Sequence, residues 1–325
     1  MQYDLSRFAE ETGCIAVSFN YRLNAYGFLH FHGLNRNFDA NNGLYDQIAA
    51  LGFVKRNISS FGGDPDNITV FGQSAGGACI LALMTMHEAE GLFQKAIVQS
   101  ACIEHFFTAG QARKNTHVWM KYAGIGSPEE IFRLNEAEIC RANERYSSWL
   151  LRKGDIRCAF SPVIDGITLK EDVKQAVTAS EVKLLIGSVS EEANLFLSAI
   201  PSFLLPVITK YIGLNVPRGK GSCKKRACDA LTDHIYARPM KEILQEYRGQ
   251  AWRYEYRHVL PGSKTGCFHA SELPVLFDMN MMGYSPDESS EKTGKHMRRI
   301  WGRFAYEGEP GWQEYRTGGE TYIIE

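Results

Sequence analysis

The first place in this sequence where chemistry is expected is a serine with glycines on either side. Ser74 lies in the run 72–76, Gly-Gln-Ser-Ala-Gly, which has the pattern Gly-x-Ser-x-Gly. In a strained turn from a strand into a helix, small flanking residues leave the serine hydroxyl exposed. The apolar run 68–71 predicts the strand and the run 78–84 predicts the helix. This context favours a nucleophile for acyl transfer over a merely structural glycine-rich turn.

The same turn predicts a donor for the oxyanion that forms when a serine attacks a carbonyl. The backbone N–H of Ala75 follows the nucleophile directly, and it is expected to face the reacting carbonyl oxygen. The beginning of the following helix adds the positive end of its dipole at the same point.

A serine needs a base to take its proton, and nine histidines are available. In folds that carry such a turn, the base sits on the loop after the last strand, and the chain order is serine, acid, histidine. His269 follows the predicted strand 251–258 after several turn residues, which favours it as the base. His258 lies at the end of that strand and is the alternative.

The acid is expected at the end of an earlier strand. The predicted strand 182–186 runs into Gly-Ser-Val-Ser-Glu-Glu-Ala-Asn at 187–194, which places Glu191 and Glu192 side by side at the edge of the sheet. Only one of the two can face the histidine, and the local pattern does not choose between them. Asp165, next to Gly166, is interpreted as a turn former.

These residues require a sheet that positions them. Besides the strands already named, runs 14–19 and 95–99 predict buried strands, and helical patterns occupy the intervals, including the first dozen residues. Strands that alternate with helices predict an α/β fold with a mostly parallel sheet covered on both faces. No linker or repeat divides the chain, so residues 1–325 are interpreted as one domain.

Composition narrows the function further. The 325 residues are 44% hydrophobic with a formal charge of −1, so nothing indicates binding of nucleic acid or an anionic membrane. No run is long and apolar enough to span a bilayer, and residues 1–13 do not resemble a signal peptide, which predicts a cytoplasmic protein. The eight cysteines are expected to be reduced, with Cys223 and Cys228 on an exposed basic loop. The oligomeric state cannot be read from the sequence.

Residues 61–77, FGGDPDNITVFGQSAGG, resemble the active-site signature of the type-B carboxylesterase family over its whole length. This family includes cholinesterases and bacterial para-nitrobenzyl esterases, and the spacings here are closest to those of the compact bacterial members. Further blocks that resemble the family include Asn20-Tyr21-Arg22, the segment 42–47 and, near the C-terminus, the segment 301–310. The resemblance implies the α/β-hydrolase fold and a structural ion pair between Arg22 and Asp46.

The resemblance also decides between the alternatives for the base and the acid. Residues 266–274, GCFHASELP, resemble the family's histidine block, which implies His269. The family's acid stands five residues after the glycine that ends its strand, which here implies Glu192, with Glu191 as the fallback. The implied activity is hydrolysis of small carboxylic esters through an acyl-enzyme on Ser74, with no metal or organic cofactor.

One family feature is missing from these residues. A His-Gly-Gly-Gly-type loop, which supplies further oxyanion donors in the family, does not occur in the 325 residues. The resemblance implies that roughly a hundred residues and the first strands are absent at the N-terminus, so that the position between strands 15–19 and 68–71 is left empty. The alternative is that these two strands pair directly. A catalytically impaired fragment and a non-catalytic, esterase-like binding domain therefore stay open as alternative functions.

Overall fold

The computed structural model describes residues 3–170, 172–281, 283–317 and 319–325, with an α/β architecture. Five strands form a parallel sheet in the order β1-β2-β5-β6-β7, and a short parallel pair, β3-β4, lies apart from it. The strands are β1 Thr69–Gln73, β2 Lys95–Gln99, β3 Phe107–Thr108, β4 Val163–Ile164, β5 Lys183–Val189, β6 Ala251–Tyr256 and β7 Tyr322–Ile324. The four predicted strands from residue 68 onward are confirmed, with ends shifted by at most three residues.

Helices connect the strands. They are α1 Ser6–Thr12, α2 Asn24–Phe28, α3 Asn42–Asn57, α4 Ala75–Leu83, α5 Ala109–Ala123, α6 Glu136–Arg152, α7 Val173–Val177, α8 Asn194–Leu197, α9 Leu205–Tyr211, α10 Cys223–Thr232, α11 Arg238–Glu246, α12 Glu272–Phe277 and α13 Glu288–Glu307. A π-helical turn, Asp233–Ala237, joins α10 to α11. The helix predicted for the first dozen residues is confirmed as α1, although residues 1 and 2 lie outside the described residues. No helix in the described part of the chain is long and apolar enough to cross a membrane.

The sheet has a hydrophobic core on each face. Successive side chains of a strand point to opposite faces, so Leu184 and Ile186 of β5 pack in one core while Leu185 packs in the other. The first core contains buried side chains of α4, α7, α10 and α11, and the second those of α1, α12 and α13. Every residue of β2 is buried, as expected for a strand inside a parallel sheet. Because the five strands are parallel, their carboxyl ends lie at the same edge of the sheet.

The prediction of a strand at residues 14–19 is wrong. This segment carries no assigned secondary structure, and Ile15, Val17 and Phe19 are 46%, 44% and 41% exposed. A groove of ≈ 410 Å³ separates it from β1, and both lie in the groove wall. No backbone hydrogen bond of residues 15–19 is found among the described residues. Since a strand exists only when a neighbour pairs with its backbone, the β-rich composition is not sufficient here. Direct pairing with β1, the alternative expectation, is also contradicted.

The prediction of an exposed loop around Cys223 and Cys228 is wrong as well. Both residues lie in α10, and Cys228 is buried. The hydroxyl of Ser222 accepts the backbone N–H of Lys225 and caps this helix, a signal that the basic composition obscured. All eight cysteines are free thiols, as predicted.

Two predicted polar contacts are confirmed. Arg22 donates to Asp46 in a bidentate pair, with Nε–Oδ2 and Nη2–Oδ1 distances of 2.8 and 2.7 Å. This pair joins the segment after residue 20 to α3. The carboxylate of Asp165 accepts the backbone N–H groups of Ile167, Thr168 and Leu169, which makes Asp165 a turn former.

Candidate active site

Ser74 occupies a strained turn between β1 and α4. Its φ of 56° lies in the left-handed region that serine rarely adopts. A Cβ at Gly72 would lie 2.8 Å from the carbonyl carbon of Gly76, so position 72 must be glycine for the turn to close. A Cβ at Gly76 would meet nothing within 4 Å, so the predicted steric need for glycine holds only for Gly72. The turn leaves the Ser74 hydroxyl at the carboxyl edge of the sheet.

His269 and Glu192 meet Ser74 at this edge. The Nε2 atom of His269 lies 2.9 Å from Ser74 Oγ, and its Nδ1 atom lies 2.5 Å from Glu192 Oε2. Because a carboxylate only accepts, Nδ1 carries a proton and donates it to Glu192. Nε2 is then the acceptor for the Ser74 hydroxyl. The arrangement allows His269 to take the serine proton, and the structure brings together the three side chains singled out in the sequence.

Glu192 is held in place by the chain around it. Its side chain is fully buried, and its second oxygen, Oε1, accepts the backbone N–H of Val189 at 3.0 Å. The backbone carbonyl of Glu192 also accepts the backbone N–H of His269 at 3.3 Å. Glu192 and His269 are therefore fixed to each other through main chain as well as side chain.

The alternative residues have other contacts. Glu191 points to the same loop as His269, but its Oε2 atom accepts the backbone N–H of Cys267 at 3.3 Å and the side-chain amide of Asn194 at 3.2 Å. It supports the histidine loop and does not reach the imidazole. His258 lies at the end of β6 and contacts Ser290, with Nε2 and Oγ 3.1 Å apart.

The electrostatics of the site favour a basic imidazole. Burial acts to lower the pKa of His269, but the hydrogen bond and the charge of Glu192 outweigh it and raise this pKa above its usual value. Beside the pair lies Glu272, which is 1% exposed. Burial and the charge of Glu192 raise the pKa of Glu272 to about 7. A second carboxyl group, that of Glu272, therefore lies close to the same histidine.

A place for an oxyanion donor is also present. Ala75 is the first residue of α4, so its backbone N–H has no acceptor within the helix, and the residue is exposed beside Ser74.

Three residues at the site were not found by sequence reasoning. The side-chain amide of Gln73 donates to His269 Nε2 at 3.2 Å. The rings of Phe196 and Tyr236 lie 5.6 and 5.1 Å from the imidazole, between ring centres. Gln73 was detectable in principle because it directly precedes the nucleophile. The two aromatic residues come from helical segments whose packing the sequence does not reveal.

Comparisons with known proteins show that the chain is similar to carboxylesterases. The family model described as "Carboxylesterase family" matches residues 1–204. The para-nitrobenzyl esterase of Bacillus subtilis is 34% identical over 99% of this chain and 71% of its own length. A probable N-octanoylanthranilate hydrolase of Rhodococcus erythropolis is 31% identical over 97% of this chain and 71% of its own length. A solved PNB esterase superposes with a TM-score of 0.85 at 30% identity, over 99% of this chain and 73% of that one.

The family and the fold expected from the sequence are thereby confirmed. The sheet has the mostly parallel, helix-flanked form of the α/β-hydrolase fold that the solved esterases share. The chain belongs to the carboxylesterase family and is a carboxylic-ester hydrolase.

Proposed function

We propose that this chain hydrolyses small carboxylic esters through an acyl-enzyme on Ser74, with His269 as the base and Glu192 as the residue that orients it. The observation that carries the proposal is the continuous hydrogen-bonded chain from Ser74 Oγ through both imidazole nitrogens to a buried carboxylate. Such a chain is the arrangement that activates a serine at neutral pH.

The first half of the reaction is acylation. His269 Nε2 accepts the hydroxyl proton as Ser74 Oγ attacks the ester carbonyl, and the imidazolium is stabilised by Glu192. The negative charge on the carbonyl oxygen is stabilised by the N–H of Ala75 and the N-terminus of α4. His269 then gives its proton to the alcohol oxygen, which leaves, and the acyl group stays on Ser74.

The second half repeats these steps with water. His269 takes a proton from water, the hydroxide attacks the acyl carbonyl, and Ser74 Oγ leaves with the proton that His269 returns. The rings of Phe196 and Tyr236 flank the imidazole and keep one side of it apolar. An apolar wall suits a neutral ester, whose alkyl or aryl part gains by leaving water.

A catalytically impaired or purely binding role is less well supported. The three side chains needed for hydrolysis are present and in contact, and a binding domain has no need of a buried carboxylate paired to a histidine. What a binding role would explain is the lack of a His-Gly-Gly-Gly run in the sequence.

Labelling with a fluorescent fluorophosphonate tests the proposal, because this reagent phosphonylates only an activated serine. We expect one label per chain at Ser74, identified by peptide mass spectrometry. Ser74→Ala should remove the label, whereas Ser59→Ala, at an exposed serine, should retain it. If folded wild type were labelled no more than Ser74→Ala, Ser74 would not be the nucleophile.

A further inference from the structure

A second cluster of reactive side chains lies next to Ser74 and has no part in the proposed hydrolysis. It consists of Cys102, His105 and Cys158, called here the thiol cluster. Cys102 and His105 lie on the segment after β2, and Cys158 lies on the loop before β4. The Sγ atom of Cys102 is 3.7 Å from Ser74 Oγ, so the thiol cluster contacts the nucleophile itself.

Within the thiol cluster, His105 is arranged as a base for Cys158. His105 is 7% exposed, and burial lowers its pKa, so the imidazole is neutral at pH 7. Its Nδ1 atom accepts the backbone N–H of Cys158 at 3.1 Å, which shows that Nδ1 carries no proton. The Cys158 Sγ atom lies 3.2 Å from the same nitrogen, and its thiol is therefore the donor. Transfer of this proton would leave a thiolate, the reactive form of cysteine.

The two thiols differ in exposure and in acidity. Cys102 is 3% exposed, whereas Cys158 is only partly buried, so Cys158 is the more accessible of the two residues. Both thiols lie beside neighbouring polar groups, Cys102 at Ser74 and Cys158 at His105, and their mutual interaction lowers the pKa of Cys158 and raises that of Cys102. Cys158 is thus the thiol that reacts first, and Cys102 is the neighbour that can react with the product. This is the order found in thiol pairs that respond to oxidants.

We propose that Cys158 and Cys102 form a redox-active pair that a small hydroperoxide converts into a disulfide, and that this disulfide slows acylation of Ser74. The Cys158 thiolate attacks one peroxide oxygen, the O–O bond breaks, and the alkoxide or hydroxide that leaves takes the proton held by His105. The sulfenic acid on Cys158 is then attacked by Cys102 sulfur, which forms the S–S bond and releases water. Overall, two thiols lose two electrons, and the hydroperoxide is reduced to an alcohol or water.

The effect on catalysis follows from the contact between Cys102 and Ser74 and rests on the proposed role of Ser74. A disulfide holds its sulfur atoms about 2.05 Å apart, so Cys102 Sγ must move toward Cys158 when the bond forms. The segment that carries Cys102 begins at Ser100, whose φ of 50° is already in the left-handed region and leaves little freedom. Since small displacements in an active site slow catalysis strongly, we expect a roughly tenfold or greater loss of rate on oxidation.

Peptide mass spectrometry after treatment with cumene hydroperoxide tests the chemical step without any reference to hydrolysis. We expect a peptide cross-linked between Cys102 and Cys158 that dithiothreitol separates. In Cys102→Ser, the reaction should stop at a Cys158 sulfenic acid, which dimedone traps. Cys140→Ser, at the exposed cysteine, is the matched control and should form the same cross-link as wild type. Oxidation of Cys140 without the 102–158 cross-link would overturn the proposal.

The rate of fluorophosphonate labelling of Ser74, before and after oxidation, tests the link to the active site. Wild type and Cys140→Ser should lose rate on oxidation and regain it with dithiothreitol, whereas the ratio of oxidised to reduced rates in Cys158→Ser should stay near one. An equal loss in Cys158→Ser, or a cross-link that leaves the wild-type rate unchanged, would overturn the link. If reduced wild type is not labelled at all, the proposed function fails, while the cross-linking result still stands by itself.

Discussion

The side-chain amide of Gln73 donates to the nitrogen of His269 that also accepts the Ser74 hydroxyl, with 3.2 Å between Gln73 Nε2 and His269 Nε2. A donor at this position stabilises the neutral imidazole and opposes the imidazolium that must form as the serine proton is transferred. We therefore expect Gln73, the residue directly before Ser74, to lower the pKa of His269.

Replacing this donor by an acceptor should shift the pH dependence of hydrolysis. The rate falls as the pH drops through the pKa of His269, because only the neutral imidazole accepts the serine proton. In Gln73→Glu a carboxylate faces Nε2 and favours the imidazolium, so the midpoint of the acid limb of kcat/KM should rise by roughly one pH unit. Gln94→Glu, at the opposite end of the sheet, is the control. An unchanged or lowered midpoint would contradict this role of Gln73.

The adjacent glutamates provide a matched pair of variants. Glu192→Gln keeps the size of the side chain but removes the charge that fixes the imidazole, and kcat should fall by about 10²- to 10⁴-fold. Glu191→Gln should change kcat by less than about tenfold, because Glu191 contacts the backbone of Cys267 and not the imidazole. Steady-state kinetics of both variants on one short-chain ester shows which glutamate kcat depends on. The reverse order of the two losses would assign the acid to Glu191.

Loss of the Glu192 charge should also be visible in the titration of His269. The pKa of this histidine is raised because the hydrogen bond and charge of Glu192 outweigh the effect of burial. In Glu192→Gln burial, the largest single influence on this pKa, is opposed only by the charges of Cys102 and Glu272, so the pKa should drop below its value in wild type. NMR titration of the imidazole resonances measures this directly and does not depend on activity. A pKa that stays raised would mean that another group supplies the charge.

Glu272 should make stability depend on pH near neutrality. Its pKa is about 7 in the fold against an ordinary value of 4.5 in the unfolded chain, so the unfolded state ionises first as the pH rises. The free energy of unfolding should therefore fall between pH 4.5 and 7 by up to about 3 kcal/mol from this group. Glu272→Gln should remove this decrease, and Glu309→Gln, at an exposed position, should retain it. Urea unfolding at pH 5 and pH 8 gives the comparison.

Local chemistry made most of the site predictable. The turn around Ser74 and the loops of Glu192 and His269 each carry short signals within a few residues of a strand end, and the resemblance to the family chose between neighbouring candidates. The strand at 15–19 was mispredicted because its β-rich composition says nothing about whether a partner strand lies beside it. The contacts of Phe196 and Tyr236 with His269 depend on how distant helices pack, which no local pattern encodes.

Ser74 is proposed here as the nucleophile of a working ester hydrolase. The most direct measurement is hydrolysis of p-nitrophenyl acetate by the purified chain beside Ser74→Ala, with the fold of both checked by circular dichroism. Turnover by wild type, lost in Ser74→Ala and retained in Ser59→Ala, is the predicted result. Equal rates in folded wild type and Ser74→Ala, at the level of the uncatalysed reaction, would contradict the role of Ser74 as the nucleophile.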